Sequence, residues 1–439
     1  MISGSVLNEI CKDSINLING EATARSTHQT SVPKIENPIS YSEFFSTYLL
    51  KNQPCILTQW ATKDWPCMEG WRFESRAGEF VPNFDKLVEL FGETEVPVAD
   101  CSKKNFNSHE KIKMKFKDFV KYWKSKINGD NEERSLYLKD WHCRREFPSY
   151  DIYTTPPYFT SDWLNELFDK VVVSFSEDDY RFVYMGPTGT WTPFHADVYR
   201  SYSWSANICG RKKWVMFPPS EEEKLKDING HLPFDIRDII SDDVIKPTHI
   251  EVEQEAGEIM FVPSGWHHQV YNMEDTISIN HNWFNGCCIN LVWRFLQSEL
   301  RLVEREIDDC RASMDEEEWT NHCQVLMLCN TGINYQRFHS LLEHIIKTRC
   351  DVIMRGVTSQ PKTKRDKRKV DYDVIKRTCI STMTSLRNCL SPVEIAESQC
   401  LADLCLVIPT LLEMLSHCYC ARLLFDICDV IIAYTKQFN

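Results

Sequence analysis

The chain has 439 residues, 43% of them hydrophobic and 12% aromatic, which is enough to bury the cores of two or three folded domains. Acidic residues outnumber basic residues by 63 to 50, and the net charge of −13 argues against direct binding to nucleic acid or to anionic lipid. No apolar run reaches the roughly 18 residues that a membrane-spanning helix needs, so we exclude a membrane span.

The opening residues have no clear apolar period, and we expect residues 1–34 to form a loose lead-in. They also lack the basic start and the apolar centre of a secretory signal. The 19 cysteines follow neither a disulfide framework nor a zinc-binding spacing. The sequence therefore predicts a protein with reduced thiols in the cytoplasm, with access to the nucleus left open.

Ordered structure is predicted from residue 35 onward. Ser40 and Glu43 have the spacing of a helix-capping pair, and residues 54–57 have the composition of a short buried strand. Apolar residues then recur at helical spacing over 85–91 and 117–123. These segments predict packing helices on the N-terminal side of the central domain.

The centre of the chain consists of short β-rich segments separated by Gly and Pro. They are residues 182–185, 202–208, 213–217, 250–252, 259–262, 269–271 and 276–283. Closely spaced strands with one longer insertion, 220–246, predict a double-stranded β-helix, or jelly roll. The expected fold class is β-rich α+β, with this barrel in a domain spanning residues 35–285.

After residue 285 the apolar period becomes that of α-helices, which predicts a helical domain over 286–439. Residues 359–369 interrupt it with Pro361 and six basic residues. This basic loop could serve nuclear import or nucleic-acid binding, but a solvated loop between helices is the simpler interpretation. Apolar stripes of the tail, such as Leu401 and Leu404, could form a core or the face of a homodimer.

His195 and Asp197 flank Ala196 at the predicted start of a strand. Alternate side chains of a strand leave the same face, so this pair could bind one metal ion. His249 and Glu251 form a second pair with the same spacing. Spacing alone therefore does not separate the two pairs.

Two adjacent histidines, His267 and His268, follow a tight turn at the entrance of a later strand. Either of them, together with His195 and Asp197, would complete a set of two histidines and one carboxylate, which is typical of Fe(II) sites with open positions. Because so little chain separates the 249–251 pair from that turn, we interpret it as strand surface.

Three ordered motifs together resemble the JmjC family of Fe(II)- and 2-oxoglutarate-dependent oxygenases. They are TPFHAD at 192–197, GRKKWVMFPP at 210–219 and GEIMFVPSGWHH at 257–268. The resemblance covers residues 36–285 and implies a cupin-like catalytic barrel that uses Fe(II), with 2-oxoglutarate and O2 as cosubstrates. In the family the histidine that closes the Gly-Trp-x-His turn is the last metal ligand, which selects His268 over His267.

The resemblance also implies anchors for 2-oxoglutarate, whose distal carboxylate must be neutralised inside an apolar barrel. Lys212 stands where the family places this cation, whereas the neighbouring Lys213 is expected on the opposite, solvated face. Thr192 and Tyr137 match positions of hydroxyl donors to the same carboxylate. Asn280 matches the position of a further polar contact.

Within the family, the sequence most resembles members that hydroxylate a lysine of the eukaryotic translation-termination (release) factor. This implies a protein lysyl hydroxylase with that factor as its protein partner. Two alternatives stay open: a histone lysine demethylase, and a catalytically silent scaffold that binds a partner through its helical tail. The acidic charge and the lack of zinc-finger spacings weigh against the first, and the intact ligand set with Lys212 weighs against the second.

Overall fold

The computed structural model describes residues 2–20, 31–130, 133–170, 179–240, 247–356, 371–389, 395–415 and 420–436. The basic loop expected at 359–369 lies outside these residues. Most of the described cysteines are buried. Among the described helices, none combines the length and the apolar character needed to cross a bilayer.

The strands begin early in the chain and become dense after residue 180. In chain order they are β1 (Lys34–Ile35), β2 (Cys55–Leu57), β3 (Arg72–Glu74), β4 (Phe80–Pro82), β5 (Glu95–Asn105), β6 (Ser108–Lys115), β7 (Leu136–Trp141), β8 (Arg181–Gly186), β9 (Trp191–His195), β10 (Tyr202–Cys209), β11 (Lys212–Phe217), β12 (Ile250–Gln254), β13 (Ile259–Val262), β14 (His267–Asn272) and β15 (Thr276–Trp283). The seven segments predicted in the centre of the chain all lie within strands of this set.

Two sheets form the centre of the molecule. The larger has the strand order β1-β2-β13-β10-β15-β8-β7-β5-β6, and the smaller has the order β12-β11-β14-β9. Their facing sides share a buried cluster in which Met260 and Val262 of the larger sheet pack with Trp214 and Met216 of the smaller. This is the predicted jelly-roll barrel, and the expected fold class is confirmed.

Helices flank the barrel on both sides in the sequence. They are α1 (Gly4–Asn19), α2 (Tyr41–Phe44), α3 (Pro66–Gly70), α4 (Phe84–Phe91), α5 (Phe116–Ile127), α6 (Cys143–Glu146), α7 (Trp163–Lys170), α8 (Arg237–Ile240), α9 (Ile289–Glu306), α10 (Glu316–Thr331), α11 (Tyr335–Gly356), α12 (Tyr372–Cys389), α13 (Ile395–Glu413) and α14 (Cys420–Thr435). The Ser40 hydroxyl accepts a hydrogen bond from the backbone N–H of Glu43 and caps α2, as the spacing of the two residues predicts.

The loose lead-in expected over 1–34 is wrong for its first part, which is the helix α1. Ser3 caps this helix by accepting a hydrogen bond from the backbone of Val6. Val6, Leu7, Ile10 and Cys11 are buried, and the helix packs against α12 and α13 of the tail. These apolar residues recur at helical spacing, so the helix is stabilised by covering the C-terminal helical domain.

The C-terminal helices are docked on the barrel domain by a buried ion-pair network. Arg349 of α11 donates hydrogen bonds to Asp403 of α13 over 2.8 Å and to Glu166 of α7 over 2.9 Å. The stripe containing Leu401 and Leu404 is fully buried inside the chain. Of the two sequence interpretations for that stripe, the structure therefore shows core.

Candidate metal centre

β9 and β14 are neighbours in the smaller sheet, and their pairing sets His195 directly opposite His268. Opposed residues of an antiparallel pair share a face, and the centroids of the two imidazole rings lie 4.5 Å apart. Asp197 follows two residues after the end of β9. One ligand atom from each of these three residues lies within 4.8 Å of the others, close enough for all three to bind one metal ion. Among the described residues, no second group of this kind is found.

β9 ends at His195, whereas the sequence indicated a strand that begins there. Strand alternation therefore does not align Asp197 with His195. The chain turns just after Asp197 through Tyr199 and Arg200, whose φ angles are 55° and 57°. Such angles are rare for residues other than glycine and are often found beside functional sites. His195 and Asp197 converge as the sequence predicts, but they do so where the strand gives way to a turn and not by alternation within a strand.

Backbone and side-chain hydrogen bonds orient all three candidate ligands. The Nδ1–H of His195 donates to the Pro193 carbonyl over 2.8 Å. The Nδ1–H of His268 likewise donates to the carbonyl two residues before it, at Trp266, over 3.0 Å. Each ring thus presents its Nε2 atom for coordination.

The Asp197 carboxylate is held from the larger sheet. Its Oδ2 atom accepts a hydrogen bond from the Ser203 hydroxyl over 2.7 Å, and its Oδ1 atom accepts one from the Asn282 amide over 2.8 Å. Ser203 lies on β10 and Asn282 on β15, so adjacent strands fix the carboxylate. Such outer contacts restrict the orientation of a metal ligand and support its affinity.

The local electrostatics favour a neutral His195. Burial, together with the neighbouring His268, lowers the pKa of His195 to about 4. The imidazole is therefore unprotonated at neutral pH, which is the state that binds metal ions.

His267 is directed away from this cluster. It is buried against Phe194, and its Nε2 atom lies 2.9 Å from the Arg200 guanidinium. The geometry therefore brings His268, and not His267, to His195 and Asp197, in agreement with the choice that the family resemblance implies.

The competing pair at the start of β12, His249 just before the strand and Glu251 on it, does not belong to the cluster either. His249 and Glu251 are partly exposed, and Glu251 pairs with the Lys213 ammonium over 2.9 Å. Lys213 thus lies on the solvated face, as strand alternation predicts.

Lys212 has the opposite environment, since its side chain is buried between the sheets. Only 2% of it is exposed, and its ammonium donates to the Ser278 hydroxyl over 2.7 Å. Burial, with the nearby charge of Lys139, lowers the pKa of Lys212 to about 7. Ser278 is its one hydrogen-bond partner in the described part of the chain. Because an ammonium has three N–H donors, two of them remain available to bind an anion.

Tyr137 and Asn280 lie near this lysine. Asn272 faces Lys212 across the β11–β14 ladder, and it also neighbours the Tyr137 hydroxyl. Burial raises the pKa of Tyr137, an effect that Asn272 opposes. Asn280 donates to the Ser278 hydroxyl over 3.3 Å, so Ser278 connects it to Lys212.

Thr192 is brought to the same side as His195 by a β-bulge. The ladder pairs His195 with His268 and then Thr192 with Val270, which leaves one extra residue on β9. Because His268 and Val270 share a strand face, the two residues opposite them do so as well. The structure thus places all seven residues singled out from the sequence around one interior region.

Several polar residues of this region were not identified from the sequence: Ser203, Ser278, Asn282 and Lys139. Two of them could have been found from strand alternation, because 278, 280 and 282 are successive polar positions on one face of β15. The resemblance draws attention to Asn280 alone. Ser203 and Lys139 carry no comparable signal.

Comparisons with known proteins agree with this geometry. A family model described as a cupin-like domain matches residues 41–287. The chain is 49% identical over 355 residues to the Gallus gallus protein named 2-oxoglutarate and iron-dependent oxygenase JMJD4, covering 79% of this chain and 81% of that protein. The Danio rerio protein of the same name is 52% identical over 326 residues, covering 72% and 74%. The Arabidopsis thaliana protein named Arginine-specific demethylase JMJ20 is 42% identical over 316 residues, covering 68% and 66%.

The contact between Asn282 and Asp197 predicts a loss of metal affinity in Asn282→Ala. Without the amide, the carboxylate can rotate away, and the affinity should fall by about 10–100-fold. Titration of metal-free protein with Co(II), followed by its visible absorption, measures this change. Asn105→Ala, at an exposed position on β5, is the matched control and should bind Co(II) like the parent. Unchanged Co(II) affinity in Asn282→Ala would show that Asn282 does not position Asp197.

Proposed function

The chain belongs to the cupin-like JmjC family of Fe(II)- and 2-oxoglutarate-dependent oxygenases, and we propose that it is a protein hydroxylase acting on a lysine of a translation release factor. The observation that carries this proposal is the clustering of His195, Asp197 and His268 in the barrel that also buries Lys212. The lysine substrate follows from the resemblance of the sequence to release-factor hydroxylases.

The residues present fit both an iron ion and a 2-oxo dicarboxylate. Two imidazoles and one carboxylate form the donor set that binds Fe(II) and leaves coordination positions open for small molecules. Lys212 offers a buried ammonium with spare donors, which suits a carboxylate that has to be neutralised away from water. Two separate parts of the pocket thus fit the metal and the dicarboxylate.

Bound Fe(II), 2-oxoglutarate and O2 together supply the oxidation of an aliphatic C–H bond, coupled to conversion of 2-oxoglutarate to succinate and CO2. His195, Asp197 and His268 would hold the metal, while Ser203 and Asn282 keep the carboxylate of Asp197 in place. The surrounding barrel limits the access of water and of other side chains to the oxidation site.

The cosubstrate would be anchored at its distal end. Lys212 would neutralise the distal carboxylate, and the hydroxyls of Tyr137 and Thr192 would donate hydrogen bonds to it. Asn280, connected to Lys212 through Ser278, would orient the other side of the same ligand. A cosubstrate bound by these residues would direct its 2-oxo acid end toward the metal ligands.

If a release factor is the substrate, the protein would act in the cytoplasm. The basic residues 359–369 could in addition serve nuclear import. We infer no direct role for nucleic acid or membrane. The helical tail would serve as a platform for the protein partner; a homodimer face would have to lie outside the stripe of Leu401 and Leu404, which is core.

The decisive experiment supplies Fe(II) to the purified protein under anaerobic conditions, then adds 2-oxoglutarate, O2 and a release-factor fragment. We expect succinate formation that depends on the fragment, and a mass increase of one oxygen atom on a lysine. A Lys-to-Arg substitution at that position of the fragment is the matched control and should abolish both signals.

Demethylation is the second candidate, because one relative is named as an arginine-specific demethylase. Methylated histone peptides carrying N-methyl-lysine or N-methyl-arginine test it in the same assay, with formaldehyde as the readout. Formaldehyde release without lysine hydroxylation would replace the hydroxylase proposal. If none of the peptides stimulates succinate formation, the catalytically silent scaffold would be favoured.

Alanine substitution of the two adjacent histidines should have very different effects. His268→Ala removes a candidate ligand and should lower both Co(II) affinity and succinate formation by at least about 100-fold. His267→Ala leaves the cluster intact and should be much milder. Metal titration and substrate-dependent succinate measure the two quantities separately. The reverse order of effects would show that the ligand is His267.

Binding of 2-oxoglutarate should weaken as the pH rises through the pKa of Lys212. That pKa is lowered to about 7 by burial and by Lys139, so the free ammonium loses its proton above neutral pH. The affinity of metal-loaded protein should fall about tenfold between about pH 6 and pH 8, as measured by calorimetry.

Two variants control this measurement. Lys212→Arg keeps its charge at both pH values and should show a weaker dependence. Lys212→Ala should bind 2-oxoglutarate weakly at every pH. A dependence that survives unchanged in Lys212→Arg would mean that another group titrates.

A further inference from the structure

A second lysine, Lys139, lies in the same interior region. It follows Tyr137 by two residues on β7, and both side chains lie beside Tyr184, whose ring centroid is 5.9 Å from that of Tyr137. Its side chain is half-buried, and its ammonium lies 5.5 Å from the centroid of the Tyr184 ring. The proposed metal ligands and the proposed 2-oxoglutarate anchors do not include this ammonium.

Lys139 is close to both parts of the proposed site. Burial is the main cause of the low pKa values of His195 and Lys212, and the charge of Lys139 adds to the lowering in both cases. The ammonium of Lys139 is therefore near a candidate metal ligand and near the candidate cosubstrate anchor at once.

The Lys139 ammonium forms no direct ion pair with a described residue, although the charge of the adjacent Asp140 opposes the lowering of its pKa by burial. The adjacent carboxylate, Asp140, is directed to other partners: it accepts hydrogen bonds from the Tyr184 hydroxyl and from the Lys111 ammonium, each over 2.6 Å. Asp140 has a φ of 57° and lies where the β7–β8 register shifts, between the pairs formed by Leu138 and Trp141. A bulge of this kind redirects side chains, and here the Asp140 carboxylate bonds to Tyr184 and Lys111 without pairing directly with Lys139.

We propose that Lys139 is a second carboxylate-binding residue of the pocket, which acts together with Lys212. A half-buried ammonium that forms no direct ion pair with a described residue complements an anionic ligand, and a carboxylate matches its hydrogen-bonding capacity. The carboxylate comes either from the metal-side end of the 2-oxo acid or from an acidic side chain of the protein substrate. The inference rests on the proposed function, since it assumes that the pocket binds 2-oxoglutarate.

Two 2-oxo acids test the first source. Co(II)-loaded protein is titrated calorimetrically with 2-oxoglutarate and with 2-oxobutyrate, which lacks the distal carboxylate. Lys139→Met should weaken the binding of both acids by about tenfold or more. Lys212→Met should weaken 2-oxoglutarate strongly and 2-oxobutyrate little, because Lys212 serves the distal end.

Separate control variants test whether the positive charge of Lys139 is what matters and whether the fold is retained. Lys139→Arg keeps the positive charge and should recover most of the affinity, whereas Lys139→Gln should not. Lys113→Met, at an exposed position on β6, removes an equivalent charge from the surface and should bind like the parent. Urea unfolding of each variant verifies that the fold is retained, and the Arg/Gln pair still tests the proposal if Lys139→Met does not fold.

The second source is tested with a lysine peptide that carries Glu beside its target and with the same peptide carrying Gln. If Lys139→Met binds both 2-oxo acids normally but no longer prefers the Glu peptide, the carboxylate belongs to the substrate and the proposal stands. If Lys139→Met binds all of these ligands like the parent, the proposal is wrong. A parent protein that binds no 2-oxoglutarate would overturn the proposed function and this inference with it.

Discussion

The antiparallel register of β14 is the constraint on which the whole site depends. On one side it sets His268 opposite His195 of β9, and on the other it sets Asn272 opposite Lys212 of β11. A slip of one residue would exchange the two faces of the strand and bring His267 inward in place of His268. The candidate ligand and the candidate anchor are therefore fixed by the same hydrogen-bond ladder, about one strand length apart.

Asp197 does not belong to a ladder and depends on contacts made by the surrounding structure. Two successive residues with positive φ, Tyr199 and Arg200, form the turn that follows it, and each such residue costs about 1–3 kcal/mol. The Tyr199 hydroxyl bonds to that of Tyr180, and the Arg200 guanidinium lies over the Phe295 ring of α9. The helical tail thus packs directly on the turn beside the candidate ligand, which makes it part of the support for the site.

The sequence predicts best where strong local patterns coincide with burial. Seven of the eight strands from β8 to β15 are found because short apolar segments alternate with Gly and Pro. The exception is β9, which carries the first motif of the family resemblance and ends at His195, where a strand was predicted to begin. The β5–β6 hairpin is not found, because β6 is an edge strand in which half of the residues are charged and all but one are partly or fully exposed. The helix α1 is missed for a related reason: Lys12, Asp13 and the polar residues between its apolar positions obscure a stripe that only the tail can cover.

Residues that act through non-local geometry are the hardest to identify from the sequence. Ser203 and Asn282 are ordinary strand residues until β10 and β15 bring them to the carboxylate of Asp197. The β-bulge at Asp140 could not be predicted from the sequence either. Asp tolerates a positive φ angle, so its presence at this position does not indicate a bulge. At that bulge Asp140 bonds to Tyr184 and Lys111, and Lys139 lies beside the Tyr184 ring without a direct ion pair to Asp140. The charge of the pocket is thus set by strand register as much as by residue type.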